Sequence, residues 1–414
     1  MRVLWTVNIL FPEAEMLLLK KTAGLAASGG WLIGAAEALA TVEGMELHIA
    51  CPARVPATTT LQGAHICYHL YPGLQRNGEP FYETSSQLDA VFREMLEEIR
   101  PDLIDIHGTE YAHSLSCLRA AGTIPTVVTI QGFVFSVAEH YRDGLGLREM
   151  MMHRPFHRGI RHEQASFRRR AEGEKALIRQ ARNFIGRTQW DRGQVLSLTP
   201  GARYFTCQET LREPFYEGRW RWKDCEKHSI FLSQGSYPLK GLHQVLKALP
   251  VVLKTYPDTK VYVGGLNILA GRHPGHYARI LSALIRRHHL EDRLVFTGNL
   301  DAEAMKRRFM LANVFLCPSA IENSSNSLGE AQLLGVPCIA ADRGGLPSLI
   351  PDASCGKLYP FEDTERLARL ICENFAEGPA FDNAPMREMA RRRHDGRTNC
   401  TVLSGIYQEI LCHA

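Results

Sequence analysis

The chain has 414 residues, 45% of them hydrophobic, which is enough to bury more than one core, and two domains are expected. A formal net charge of +4 is too small to signal a nucleic-acid partner unless the basic residues gather on one face, and none is expected. No apolar run reaches the length of about eighteen residues that a bilayer-spanning helix needs. The eleven cysteines fall without CxxC pairs or metal-ligand spacing, so no metal site is expected. No secretory apolar stretch is read ahead of the first strand, which points to reduced thiols and a cytoplasmic chain.

The first predicted strand is "RVLWTVNI", followed by a Gly/Ser-rich turn at "AASGG" and a helix through "WLIGAAEALATVEG". Apolar runs at "ELHIACP", "DLIDIHG" and "TVVTIQG" read as further strands. Helical periodicity lies between them, notably in "SSQLDAVFREMLEEIR". Alternation of this kind implies a parallel sheet covered by helices on both faces. From Leu147 to Arg192 the chain turns basic, with aromatic and Met residues interleaved, and reads as one or two helices. A second alternating series opens at "SIFLSQG" and continues through "KVYVGG", "RLVFTGN", "NVFLCPS" and "VPCIAAD". The expected domains are 1–225 and 226–390, with a helical segment over 391–414.

In doubly wound sheets ligands bind beyond the carboxyl ends of the strands, so the turns that follow strands carry the search for chemistry. The second series supplies "SQGSYPLKG", "GGLN", "TGNL" and "SAIENSSNSLGE". Backbone amides and helix N-termini in such turns attract phosphate. Lys240, before Gly241, puts a cation at the start of a helix, where a solvated surface lysine is the other reading. Glu322 and Glu330 bracket a run of Asn, Ser and Gly. With Glu322 in a loop and Glu330 in the opening turns of a helix, both carboxylates and the amides between them can face a sugar nucleotide. The same residues also fit a helix N-terminus capped by Ser and Asn.

The E-x7-E spacing of Glu322 and Glu330, the "AQLLGVPCIAADRGG" that follows, the "PLKG" turn and "GRTQWDR" in the first half together resemble the retaining GT-B glycosyltransferases of family 4. That resemblance implies two Rossmann-like domains facing a deep cleft, with the last helix crossing back to the first domain. It implies Glu322 at the reacting end of the transferred sugar, Glu330 on the ribose hydroxyls, and Lys240 on the diphosphate. Amides of Asn326, Ser327 and Leu328 would meet sugar and phosphate, with Ser236 nearby. Gly298, Asn299 and Leu300 would hold the base, and Gly29 and Gly30 would lie near the diphosphate.

Two departures stand out. Ser and Gln occupy the turn ahead of Lys240 where many members carry Arg. Gln131 stands where the family commonly has His, so an amide takes that role or His107 in "DIHG" serves as its neighbour.

The expected activity is transfer of a sugar from a nucleotide-diphosphate donor to a hydroxyl of a glycan or lipid-linked acceptor in cell-surface polysaccharide or glycoconjugate synthesis. Retention of configuration is expected, without metal or cofactor. UDP and GDP are both compatible with "TGNL", with UDP-sugar favoured. A GT-B epimerase, a nucleotide-sugar hydrolase and a non-catalytic sugar-nucleotide-binding partner are the alternatives. The basic segment 153–170 is either a solvated helical face or a peripheral contact with anionic lipid.

Overall fold

The computed structural model describes residues 1–20, 30–151, 159–271 and 274–413. It divides into two compact units, the first comprising 1–135, 167–210 and 394–414, the second 136–166 and 211–393.

The first unit is built on eight strands: β1 (Arg2–Thr6), β2 (Glu46–Ala53), β3 (Thr59–Gln62), β4 (Ile66–Pro72), β5 (Leu103–His107), β6 (Thr126–Thr129), β7 (Asn183–Gly186) and β8 (Arg203–Thr206). They lie in the order β3-β4-β2-β1-β5-β6-β7-β8, parallel except for the β3–β4 pair. Buried strands with helices on both faces are the expected outcome for near-continuous apolar runs such as "RVLWT". One face packs Leu4, Ile104 and Val128 under the helix Ser86–Ile99, which sends Leu88, Phe92, Met95 and Ile99 inward. That helix starts on Ser85, whose hydroxyl accepts from Leu88 N–H.

The opposite face packs Val3, Trp5 and Ile49 against the helix Gly30–Ala40 and the last helix, Gly396–Cys412. A buried polar chain ties that last helix to the sheet. Trp5 Nε1 donates to Tyr407 Oη at 2.9 Å, Tyr407 donates to Asp105 Oδ2 at 2.5 Å, and Thr129 donates to Asp105 Oδ1 at 2.7 Å. Asp105 sits fully buried inside β5 with both oxygens occupied, as a carboxylate in a core requires.

The second unit has six parallel strands, β9 (Ser229–Leu232), β10 (Lys260–Gly264), β11 (Leu294–Gly298), β12 (Val314–Cys317), β13 (Cys338–Ala341) and β14 (Lys357–Tyr359), in the order β11-β10-β9-β12-β13-β14. The order reverses between β9 and β12, which creates a crevice beyond their carboxyl ends.

Several sequence expectations shift. The break expected at 225 falls between Thr210 and Leu211, because the segment after it is already core of the second unit. Trp220 Nε1 donates to Ala312 O at 2.7 Å, and Phe215 meets the Phe309 ring edge-on at 5.9 Å. The chain rejoins the first unit at His394, so Met386 and Ala390 are buried in the second.

Residues 136–166 also belong to the second unit, where Asp143 O faces His243 Nε2 at 3.0 Å and Gly144 O accepts from Lys247 at 2.6 Å. Inside the stretch read as helical lies β7, and β3, β4, β8 and β14 were not anticipated. These strands have three to seven residues, too short or too rich in Tyr, His and Thr to announce a period. Among the described residues no helix is long and apolar enough to cross a membrane.

Candidate active site

The crevice of the second unit is formed by two turns pressed together. After β9 the chain makes a single 3-10 turn, Pro238–Lys240, and enters the helix Leu242–Thr255 through Gly241 at φ +68°. A Cβ at Gly241 would fall on the carbonyl of Pro318 in the turn after β12, so glycine is needed for both conformation and contact. Ala320 N–H donates to Leu239 O at 2.8 Å across the same junction. This backbone contact sets Lys240 and Glu322 side by side.

Lys240 Nζ is ion-paired with Glu322 Oε1, and Ser319 Oγ donates to that same oxygen at 2.9 Å. The pair is partly open, with 25% and 17% of the two side chains exposed. Burial works against the ammonium, but the Glu322 carboxylate and Tyr237 outweigh it and hold the Lys240 pKa above its ordinary value. The lysine is therefore a fixed cation at neutral pH. The Gly-Gly turn of "ADRGG" supports the loop from below: Gly345 N–H donates to Glu322 O at 2.9 Å, and a Cβ at Gly344, φ +57°, would collide with that carbonyl.

The helix Asn326–Leu334 opens directly after this loop. Its N-cap is Ser325, whose hydroxyl accepts from Leu328 N–H. The Leu328 amide expected to meet a ligand is thus already used, also by Ser325 O at 3.1 Å. Asn326 and Ser327 fall in the first turn, where amides have no acceptor within the helix. Asn326 Oδ1 is buried without a hydrogen-bond partner among the described residues.

Glu330 lies in the helix and is 2% exposed. Arg212 grips it bidentately, Nε to Oε1 at 2.7 Å and the terminal nitrogen to Oε2 at 2.8 Å. Burial raises the Glu330 pKa, and Arg212 counters the shift. Sequence reasoning missed Arg212, which lies far from the motif in the chain. The Glu322 loop and the Glu330 helix position are as expected, but each carboxylate is held by its own cation. Gly298 and Asn299 lie at the end of the edge strand β11, with Leu300 following; Asn299 is exposed, and Gly265 N–H donates to Gly298 O at 3.0 Å. Ser236 sits in the turn after β9.

In the first unit, Gln131 follows β6 and lies close to Gly108 after β5. A Cβ at Gly108, φ +87°, would be 3.5 Å from Gln131 Cδ and would strike the Glu110 carboxylate. Glu110 is therefore a neighbour of Gln131 that the sequence did not single out. Burial raises its pKa, opposed by backbone N–H groups and Arg170.

His107 is instead buried in the opposite face of the sheet, its ring 4.2 Å from that of Trp5 and its Nε2 3.4 Å from Asp105. Burial lowers its pKa, Asp105 opposing. It lines a cavity of about 50 Å³ with Trp31, Arg187 and Glu209. The role of base beside Gln131 does not fit a ring 3% exposed within the core.

"GRTQWDR" folds as a capping box: Asp191 N–H donates to Thr188 Oγ1, and Thr188 N–H to Asp191 Oδ1, each at 3.1 Å. Its Arg187 pairs with buried Glu209 at 2.6 Å. Gly29 lies outside the described residues, and Gly30 begins a helix. Of the basic segment, 153–158 is likewise outside them. Arg168 and Arg169 are exposed on the helix Ile160–Gln180, while Arg170 stacks over Tyr82 at 4.2 Å.

Residues 217–392 match the family model of glycosyl transferases group 1. The match includes Lys240, Glu322 and Glu330, and begins after Arg212. A GDP-mannose-dependent monoacylated alpha-(1-6)-phosphatidylinositol monomannoside mannosyltransferase of Corynebacterium glutamicum is 27% identical over 143 residues, 33% of this chain and 35% of that protein. The putative colanic acid biosynthesis glycosyltransferase WcaL of Escherichia coli is 28% identical over 171 residues, 40% of each. The chain thus spans little more than a third of the length of these curated relatives.

Solved structures match over both units. Sucrose-phosphate synthase of Thermosynechococcus elongatus superposes with a TM-score of 0.73 at 17% identity, covering 100% of both chains. Anabaena Alr3699/HepE in complex with UDP and glucose gives 0.66 at 16%, covering 98% of this chain and 99% of that one. These are GT-B glycosyltransferases, and the fold is GT-B.

Proposed function

We propose that the protein is a retaining glycosyltransferase of family 4 that moves a sugar from a nucleotide diphosphate to a hydroxyl of a glycan or lipid-linked acceptor. The observation that carries the proposal is the Lys240–Glu322 pair at the point where the strand order reverses, beside the N-terminus of the helix Asn326–Leu334. Departure of a nucleoside diphosphate builds negative charge, and a preorganised cation beside helix amides stabilises it most in the transition state. On donor binding Lys240 exchanges part of its contact with Glu322 for phosphate oxygens, leaving the carboxylate to accept from sugar hydroxyls. Glu330, oriented by Arg212, keeps lone pairs for the ribose hydroxyls, since a carboxylate accepts at about four sites and Arg212 uses two.

The departing phosphate removes the acceptor proton on the same face of the sugar, so no side-chain base is required. Gln131 orients the acceptor or sugar by donating and accepting hydrogen bonds. UDP-sugars are the favoured donors, without a metal in the transfer step. Polysaccharide or glycoconjugate synthesis at the cytoplasmic membrane face is the setting, with Arg161, Arg168 and Arg169 exposed for anionic lipid.

The test is incubation with UDP- and GDP-sugars, with and without glycan and lipid-linked acceptors, following released nucleotide and the anomeric configuration of the product. Acceptor-dependent nucleotide release with retained configuration supports the reading. Inverted product overturns the mechanism, and release indifferent to acceptor favours a hydrolase.

A further inference from the structure

Near the edge of the first unit's sheet, outside anything the transfer reaction uses, two imidazoles and a thiol converge. His48 lies on β2; Cys67 and His69 lie two apart on β4 and so project to one face. The parallel register pairs His48 with Cys67 and Ala50 with His69. One donor atom from each of His48, Cys67 and His69 lies within 4.8 Å of the others, and the histidines are 8% and 2% exposed.

The two rings are joined head-on by a hydrogen bond. His48 Nδ1 and His69 Nε2 point at each other, 2.8 Å apart. The far nitrogen of each ring has its own partner: His48 Nε2 faces Glu46 Oε1 at 3.1 Å, and His69 Nδ1 faces Thr60 Oγ1 at 3.3 Å. Arg2 Nε in turn holds Glu46 Oε2 at 3.0 Å. An outer carboxylate or hydroxyl on the distal nitrogen is how metal-bound imidazoles are oriented and their tautomer fixed. Two nitrogens on a tetrahedral ion at metal–nitrogen distances of about 2.0–2.1 Å stand about 3.3 Å apart, so the ion would replace the ring-to-ring hydrogen bond by moving the nitrogens apart about half an ångström and turning both lone pairs towards it.

We propose that His48 Nδ1, His69 Nε2 and the Cys67 thiolate bind a Zn²⁺-class divalent ion, with a water in the fourth position. Thiolate and imidazole donors select such a metal over Mg²⁺ or Ca²⁺. The ion ties the β3–β4 edge hairpin to β2 and so has a structural role, independent of the nucleotide-sugar reading. Binding forms one metal–sulfur, two metal–nitrogen and one metal–water bond; it breaks the His48–His69 hydrogen bond, displaces the Cys67 proton to solvent and leaves the ring protons on His48 Nε2, facing Glu46, and His69 Nδ1, facing Thr60.

The experiment uses the full chain, stripped with a chelator and titrated with Co²⁺ as a spectroscopic stand-in for Zn²⁺. A single saturable site is expected, with the near-ultraviolet thiolate-to-cobalt band and intense visible bands of tetrahedral geometry, all reversed by Zn²⁺. Cys67→Ser, at a half-exposed position, keeps the fold by circular dichroism and loses the thiolate band. Glu46→Gln, on an exposed side chain outside the ligand set, weakens Co²⁺ affinity about 10–100-fold. The same thiolate band and affinity in Cys67→Ser as in the parent chain, or no saturable Co²⁺ binding by the parent, overturns the proposal and leaves the imidazoles as a hydrogen-bonded core pair.

Discussion

The two sheets place polar chemistry differently. In the second unit Lys240 and Glu322 stand in turns after strands, held by backbone: Gly241 against Pro318, Gly344 and Gly345 under Glu322. In the first unit the conspicuous polar groups are inside the sheet or just beyond it and are matched to partners distant in the chain: Asp105 with Tyr407, Arg187 with Glu209, His48 with His69. The first kind is partly open and fixed in place, while the second kind is closed within its unit. Substitutions should therefore separate, those in the first unit's network acting on stability and those in the second unit's crevice on turnover.

The largest effect should come from Glu209→Ala, which leaves Arg187 as an uncompensated buried charge; removing one partner of such a pair costs about 3–5 kcal/mol. Chemical denaturation of the variant measures it, and a loss below about 1 kcal/mol would mean that water reaches Arg187. Next, Lys240→Ala should lower kcat about 10²–10³-fold, as loss of one preorganised electrostatic group does, with the unfolding midpoint little changed. If this variant instead lost stability and kept its turnover, the contrast between the units would be reversed.

Tyr407→Phe should cost about 1–3 kcal/mol, because Asp105 Oδ2 and Trp5 Nε1 each lose a buried partner. Donor binding, read by the thermal shift with UDP, should not change. The last effect is a pH dependence, read in each unit separately. Burial lowers the pKa of His113 to about 4 in the first unit, and burial with Lys247 lowers that of His243 to about 3 in the second, from 6.5. Unfolded imidazoles take up protons below about pH 6.5 that these native ones refuse, so stability should fall as the pH drops from 6.5 towards 4 and 3. Denaturant midpoints that do not change between about pH 7 and pH 5 would contradict the buried neutral state of both rings.

Much of the second unit was legible because its information is local. "SIFLSQGSYPLKG" predicts a strand, a tight turn and a helix start, and each was found. "ENSSNSLGE" predicts a loop carboxylate and a capped helix, and Ser325 is that cap. What the sequence by itself determined is this alternation of apolar strand, glycine turn and helix, since period, capping and positive φ depend on neighbouring residues.

Tertiary structure alone decided who holds what. Arg212 reaches Glu330 across 118 positions and Tyr407 reaches Asp105 across 302. The same holds for His48 and Cys67, which show no metal-ligand spacing along the chain and become neighbours only through the β2–β4 register. Likewise no local signal says that Glu110 stands beside Gln131, or that Trp220 belongs to the second core. Burial and long-range pairing are properties of the packed sheet: a side chain's partner depends on which strands lie side by side and on the face to which each residue points, and neither is encoded within any one segment.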